Sequence, residues 1–218
     1  LILAGALVYS FNMTNQLIWD DIEWIAMNPY VHSFSFDNVR HLFTGNVLEG
    51  IGLSSNYYRP LLFATFTLNY AIHQIHPVGW HLVSNGIHIA NAILLFFILM
   101  RLFKSRFIAF WVSLLFLIHP LQTEAVTYIS GRGDPLAAFF MLSAMLLFLK
   151  GRKIIPLFLL VCALLSRETA IMFPFLVMIV SITANQETFW RSLKNSLIQA
   201  IHYFGIVVAY GILRLTVL

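Results

Sequence analysis

The stretch Leu61–Ile72, LLFATFTLNYAI, decides how the rest of this chain is arranged. It is apolar over twelve residues and carries Thr65, Thr67 and Asn69 inside the run. A helix that crosses a bilayer needs about 20 predominantly apolar residues. Counted as a crossing, the stretch sends Arg101, Lys104 and Arg106 to the outer side of a membrane. Left out, it keeps all three on the same side as Lys150, Arg152, Lys153, Arg191 and Lys194. Lys and Arg near span ends resist translocation and stay cytoplasmic, which selects the second reading. Leu61–Ile72 then becomes an interfacial or re-entrant helix within a long outer loop.

Outward from that stretch, hydrophobic segments fall near 1–13, 80–103, 107–118, 135–149, 154–165, 170–183 and 197–218, and the first outer loop covers 14–79. The pattern predicts an all-α polytopic membrane protein of about seven spans with its amino terminus inside. Several runs are too short to cross, so their helices are expected to extend into polar flanks. His119, Glu124 and Glu168 would then sit at membrane level, where ionisable groups are costly and mark function. A short helix is expected near Phe36–Phe43, where Asp37 near its start suits the helix dipole.

Of the 218 residues, 60% are hydrophobic and 10% are charged. Soluble domains carry roughly 25% charged residues, so this composition excludes an ordinary soluble domain. The net charge of +4 comes largely from the inner loops. It therefore reports topology and implies no nucleic-acid partner. The single cysteine, Cys162, permits no internal disulfide. No internal repeat divides the chain. It begins at Leu1 and ends at Leu218 inside apolar runs, as a piece of a longer membrane protein would.

Eight of the nine acidic residues lie on the outer side: Asp20, Asp21, Glu23, Asp37, Glu49, Glu124, Asp134 and Glu168. Three outer segments carry the chemistry. The first holds Trp19-Asp20-Asp21 and Tyr57-Tyr58-Arg59-Pro60. The second runs from His119 through Glu124 to Gly131-Arg132-Gly133-Asp134, and the third is Ser166-Arg167-Glu168-Thr169. Adjacent acids after a span suit general-base work, since like charges raise one another's pKa while a nearby Arg holds a carboxylate ionised. The same two carboxylates, Asp20 and Asp21, could equally hold a divalent cation. Arg132 and Arg167 are natural partners of an anionic phosphate, because a guanidinium fork matches phosphate geometry and stays charged. Taken singly, Asp20-Asp21 reads as a solvated loop pair and Arg167-Glu168 as a structural ion pair. Their gathering on one face is what raises the functional reading.

His81, Asn85 and His88 share one helical stripe and are expected to face the bundle interior in a structural or cavity-lining role. His73 and His76 lack an acidic ligand nearby in sequence, which argues against zinc. Asn12-Met13-Thr14 fits the glycosylation pattern but abuts a span, so it is expected to stay unused.

The stretches Trp19-Asp20-Asp21, Tyr58-Arg59-Pro60-Leu61, Leu68-Asn69-Tyr70, His81-Leu82-Val83-Ser84-Asn85 with His88, and above all LLFLIHPLQTEAVTYISGRGD (Leu114–Asp134) followed by Arg167-Glu168 carry a resemblance. In order and approximate spacing they resemble the membrane region of the transmembrane and tetratricopeptide-repeat-containing proteins. These are a branch of the GT-C glycosyltransferases related to protein O-mannosyltransferases. The resemblance implies a GT-C helix bundle whose first outer loop carries the catalytic aspartate. It also implies a polyprenyl (dolichyl)-phosphate sugar as donor, with mannose as the sugar, and a Ser or Thr hydroxyl of a protein as acceptor. Carried over by position, Asp20-Asp21 is the catalytic acidic pair, Glu124 and Arg132 belong to the second motif, and Glu168 to the third. The family usually has Lys-Glu followed shortly by Gly where this chain reads Arg167-Glu168-Thr169-Ala170, and a tryptophan where His41 stands.

Together these readings predict an inverting glycosyltransferase. Asp20 or Asp21 acts as base, and Arg59, His119, Glu124, Arg132, Asp134, Arg167 and Glu168 hold the donor. The implied partners are membrane lipid, the lipid-linked donor and a protein acceptor. The host would be the endoplasmic reticulum membrane in a eukaryote or the inner membrane in a prokaryote, with the site on the lumenal or outer face. A two-carboxylate site permits a metal, whereas the O-mannosyltransferase resemblance argues against needing one. The rival readings are a catalytically silent membrane scaffold that presents downstream tetratricopeptide repeats, and a transporter.

Overall fold

A computed structural model of the chain describes residues 1–45, 48–53, 56–184 and 189–217. The expected outer loop 14–79 includes four residues outside the described ones, and the last segment 197–218 includes one. Helices and turns make up the fold, and no strand occurs among the described residues. The α-helices are α1 (Ile2–Val8), α2 (Phe36–Thr44), α3 (Pro60–His73), α4 (Pro77–Phe103), α5 (Arg106–Ile118), α6 (Gln122–Thr127), α7 (Gly133–Leu149), α8 (Ile154–Ser166), α9 (Phe173–Ala184) and α10 (Phe189–Val217). Among the described residues, three helical stretches are long and apolar enough to cross a membrane: Pro77–Phe103, Ile129–Leu149 and Trp190–Val217. Four shorter apolar helical stretches lie among them: Ile2–Asn12, Arg106–Ile118, Ile154–Ser166 and Glu168–Thr183.

Besides an apolar core, the fold has an apolar exterior and a set of buried polar side chains. Leu3, Phe107, Trp111, Phe158, Ile201 and Leu215 are exposed, while Asn69, His81, Asn85, His88, Asn91 and Arg132 are buried. Polar groups gather inside because no water in the hydrocarbon would satisfy them, and the apolar exterior is what lipid accepts. This is an all-α membrane protein.

The chain ends its helices by local chemistry. Pro60 and Pro77 stand at the first positions of α3 and α4, where a missing N–H costs nothing. Ser35 caps α2 by accepting from the Asn38 N–H at 3.1 Å, with Asp37 in the first turn. Lys104 closes α4 in the left-handed conformation, and Gly151, at φ 76°, turns the chain between α7 and α8. Two helices gain length from tight 3₁₀ turns: Ile129–Arg132 leads into α7 and Glu168–Met172 into α9. The expected extension into polar flanks occurs there. It does not occur at α5, which stops at Ile118 with His119 extended ahead of Pro120, as the residue before a proline prefers.

That stop leaves the Leu117 carbonyl without a helical partner. The Tyr9 hydroxyl meets it at 3.0 Å and the His88 ring at 3.1 Å. Asn85 and Asn12 exchange amide hydrogen bonds of 2.9 and 3.0 Å, and Asn85 also donates to the Tyr9 carbonyl. His81 bonds the Asn15 carbonyl at 3.0 Å. The polar stripe of α4 therefore fastens the first helix and its following turn to the bundle.

Residues 14–79 are not a loose loop. Trp24, Ile25, Val31, Leu42, Phe63 and Phe66 form a core of their own, joined by Trp80 and Ile129. The helix α3 spans about 21 Å at ~1.5 Å per residue, short of a ~30 Å hydrocarbon core. Both of its ends meet the same end of the bundle. Arg59 at its start pairs with Glu168, while the Gln74 carbonyl at its finish accepts from Trp80 Nε1 at 2.7 Å. At the other end of the bundle Arg101 reaches the Leu149 carbonyl at 3.5 Å, so the first two basic clusters lie together.

Candidate functional site

A cavity of about 380 Å³ opens at the end of the bundle away from those basic clusters. Its charged lining is Asp20, Arg59, Glu124, Asp134 and Arg167, joined by Trp24, Tyr57, Tyr128, Ser130 and Gly131. The three outer segments singled out in the sequence thus converge on one polar space. Two glycines permit the approach. A Cβ on Gly131 would lie 3.3 Å from the Glu124 carbonyl, and one on Gly133 would lie 3.3 Å from the Ser166 carbonyl and 3.4 Å from Arg167 Cδ.

The adjacent acids Asp20 and Asp21 part ways. Asp21 is 1% exposed, and its Oδ1 accepts from both the Ser130 N–H at 2.7 Å and the Ser130 hydroxyl at 2.6 Å. Its Oδ2 accepts from the Ile18 N–H at 3.3 Å. Burial pushes its carboxyl above the usual carboxylate range, and these hydrogen bonds offset only part of the shift. Asp20 is exposed and lines the cavity. Its N–H donates to the Tyr128 hydroxyl at 3.2 Å. The phenol itself is pushed up to about 12 by burial and by its hydrogen bond with the Asp20 side chain, so it stays protonated beside that carboxylate. Ahead of the pair, Trp19 sits at φ 49° with its ring edge-on to Tyr128. Bulky residues seldom enter that backbone region.

The arginines are held by acids. Arg59 donates from Nε and Nη2 to Glu168 Oε2 at 3.1 and 2.9 Å, and stacks 4.3 Å from the Tyr57 ring centroid. Arg167 Nε lies 2.7 Å from Asp134 Oδ1, a contact made by one edge of its fork. The cavity therefore presents two guanidinium groups, each oriented by a carboxylate, with Asp20 and Glu124 as further acids.

Several expected site residues stand elsewhere. Arg132 is fully buried between Phe66 and Trp80, at 5.2 and 5.3 Å from their ring centroids. It donates to Ser84 Oγ and the Trp80 carbonyl at 3.0 Å, so it braces α4 beneath the site and does not line the cavity. His119 accepts the Leu121 N–H on Nδ1 at 3.2 Å and also stays outside the cavity, because α5 has ended before it. Glu168 acts behind the cavity, through Arg59. A divalent ion held by Asp20 and Asp21 together does not fit, since the Asp21 oxygens already face N–H and O–H donors. Among the described residues no group of three His, Cys, Asp or Glu side chains could hold a metal.

Sequence reading missed Tyr128, Ser130 and Trp24, and quoted Tyr57 without giving it a role. The first two lie inside the quoted run Leu114–Asp134, and Tyr57 directly precedes Tyr58-Arg59-Pro60, so proximity to charged residues was the available signal.

The fold and cavity define a polytopic helical membrane protein with an acid- and arginine-lined pocket at one end of its bundle. Over its whole length the chain is 32% identical to a Caenorhabditis elegans protein O-mannosyl-transferase, of which it covers 31%. It is 32% identical to the human protein O-mannosyl-transferase TMTC1 over 78% of the chain and 22% of that protein. It is 33% identical to the mouse protein O-mannosyl-transferase TMTC2 over 67% of the chain and 18% of that protein. Its curated homologues are thus TMTC-family protein O-mannosyl-transferases, and the chain spans about a third or less of the length of the relatives it matches. No protein-family model matches it. No solved structure matches it.

Proposed function

We propose that the protein containing this chain is an inverting glycosyltransferase of the GT-C type. It moves mannose from a polyprenyl-phosphate donor to a Ser or Thr hydroxyl of an acceptor protein. One observation carries the reading: of two adjacent aspartates, one is sequestered and the other opens into a cavity flanked by two arginines. The names of the relatives, which are protein O-mannosyl-transferases, support the sugar and the acceptor class.

In this mechanism the acceptor oxygen attacks the anomeric carbon from the face opposite the phosphate. Asp20 takes the hydroxyl proton, the bond from the anomeric carbon to the phosphate oxygen breaks, and the polyprenyl phosphate leaves. The configuration inverts because attack and departure occur on opposite faces. Proton transfer to a positioned base contributes about 10²–10⁴-fold. Arg59 and Arg167 stabilise the charge that builds on the leaving phosphate, because their carboxylate partners hold both guanidinium groups in place before that charge develops. Tyr128 keeps its proton and orients the Asp20 carboxylate. The cavity, at about 380 Å³, has room for a sugar phosphate. Small-molecule pockets start at roughly 300 Å³, so its size is ordinary for such a site.

The membrane placement follows from the charges. The amino terminus and the three basic clusters lie on the cytoplasmic side, seven segments cross, and the cavity faces the lumenal or outer side. The host is the endoplasmic reticulum membrane or, in a prokaryote, the inner membrane. The test is incubation of the full-length protein with labelled polyprenyl-phosphate mannose and Ser/Thr acceptor peptides. Label on the hydroxyl with inverted configuration supports the reading. A folded sample that transfers no sugar from any polyprenyl-phosphate donor supports the silent scaffold instead.

A further inference from the structure

We infer that the end of the bundle opposite the polar cavity holds a binding site for an anionic phospholipid, whose headgroup meets Arg152 and Lys153. A second cavity, of about 720 Å³, opens there between the α7–α8 hairpin and the α9–α10 pair. Its walls are apolar, with Phe148, Leu157, Ile198 and Tyr203 among them, and its rim carries Arg152 and Lys153. Both basic side chains are exposed, and neither forms an ion pair among the described residues. The hairpin turn at Gly151, φ 76°, sets them at the mouth rather than along a helix face. A short polar rung crosses the cavity wall where Ser181 Oγ donates to Gln199 Oε1 at 3.0 Å, with His202 nearby.

The occupant follows from these two chemistries together. An apolar slot at the end of membrane helices takes an acyl chain in preference to water. Two cations without an ion pair among the described residues stand at its mouth and take a phosphate, and a zwitterionic headgroup would bring its own positive charge into their field. A Lys or Arg beside an anionic lipid surface contributes about fivefold in affinity, so the pair contributes about 30-fold. This site is independent of sugar transfer: no residue of the polar cavity takes part.

The test is retention of lipid by the full-length protein in detergent, read by native mass spectrometry with phosphatidylglycerol and phosphatidylcholine in competition. The wild type is expected to retain phosphatidylglycerol about 30-fold in preference, and Arg152→Ala/Lys153→Ala to lose that preference while its melting temperature without lipid stays unchanged. A second variant, Leu157→Trp, narrows the slot and is expected to lower retention with both charges in place. Soluble glycerol phosphate, the probe for a headgroup without chains, is expected to leave the melting temperature unmoved. Equal retention of the two lipids, or a preference that survives the double substitution, overturns the proposal. So does glycerol phosphate acting as strongly as the lipid, or a cavity filled by a further segment of the same protein.

Discussion

Asp21 and Ser130, 109 positions apart, are joined twice: one carboxylate oxygen accepts the Ser130 N–H at 2.7 Å and its hydroxyl at 2.6 Å. This junction ties the start of the first outer segment to the turn that leads into α7. It removes Asp21 from solvent and leaves Asp20 as the acid of the pair that lines the cavity.

Asp21→Ala deletes the acceptor and leaves two buried donors without a partner. An orphaned buried group costs about 1–3 kcal/mol, so the variant should melt several degrees below the wild type. Asp20→Ala, at an exposed position, should change the melting temperature little. Thermal unfolding in detergent compares the two, and equal losses would count against the division of roles.

The same buried carboxyl has a pH signature. Burial raises its pKa in the folded protein, so the folded state keeps a proton that the unfolded chain has released. The stability this contributes is complete below about pH 3.9, the ordinary aspartate value, and is lost as pH rises through the folded pKa. The wild type minus Asp21→Asn difference in stability should therefore fall with rising pH across that window. A difference that grows with pH would mean the hydrogen bonds from Ser130 outweigh burial.

Arg59 and Glu168 form a paired fork with side chains only 8% and 18% exposed. Glu168→Ala strands a largely buried guanidinium, and such breaks cost roughly 3–5 kcal/mol. Arg59→Met/Glu168→Leu should recover much of that loss, because neither charge remains. A double-mutant cycle on melting data measures the coupling, and strictly additive losses would contradict it.

Asn12 fits a glycosylation pattern yet is 6% exposed and exchanges amide hydrogen bonds with Asn85. Mass spectrometry of the peptide from expressed protein should find Asn12 unmodified. Asn85→Ala should destabilise the bundle by about 1–3 kcal/mol, because Asn12 Oδ1 loses its donor while Asn12 Nδ2 keeps the Thr127 hydroxyl at 3.1 Å.

Much of this molecule was legible before its structure. Apolar runs and sorted charges located the helices, and the convergence of Asp20, Arg59, Glu124, Asp134 and Arg167 was readable from which segments share a side. The limits came where neighbours in sequence face different surroundings. Nothing in Asp20-Asp21 says that only the second meets Ser130, because that depends on a turn more than a hundred residues later. Arg132 carries a guanidinium suited to phosphate, but Phe66 and Trp80 enclose it. His119 looked like a helical extension until Pro120 ended α5 before it. The α3 stretch forms the short helix expected within the first long connecting segment; the sorting of basic residues set it apart, since α5 and α8 are no longer than it is.

In the proposed mechanism Asp20 is the base and Asp21 its support. Turnover of full-length Asp20→Asn and Asp21→Asn, with labelled polyprenyl-phosphate mannose and acceptor peptide, tests it directly. Asp20→Asn is expected to lose about 10²–10⁴-fold in kcat while melting as the wild type does. Asp21→Asn, which keeps an oxygen for Ser130, is expected to retain most of its turnover. The reverse order, with Asp21→Asn inactive and Asp20→Asn active, would make Asp21 the base and overturn the assignment.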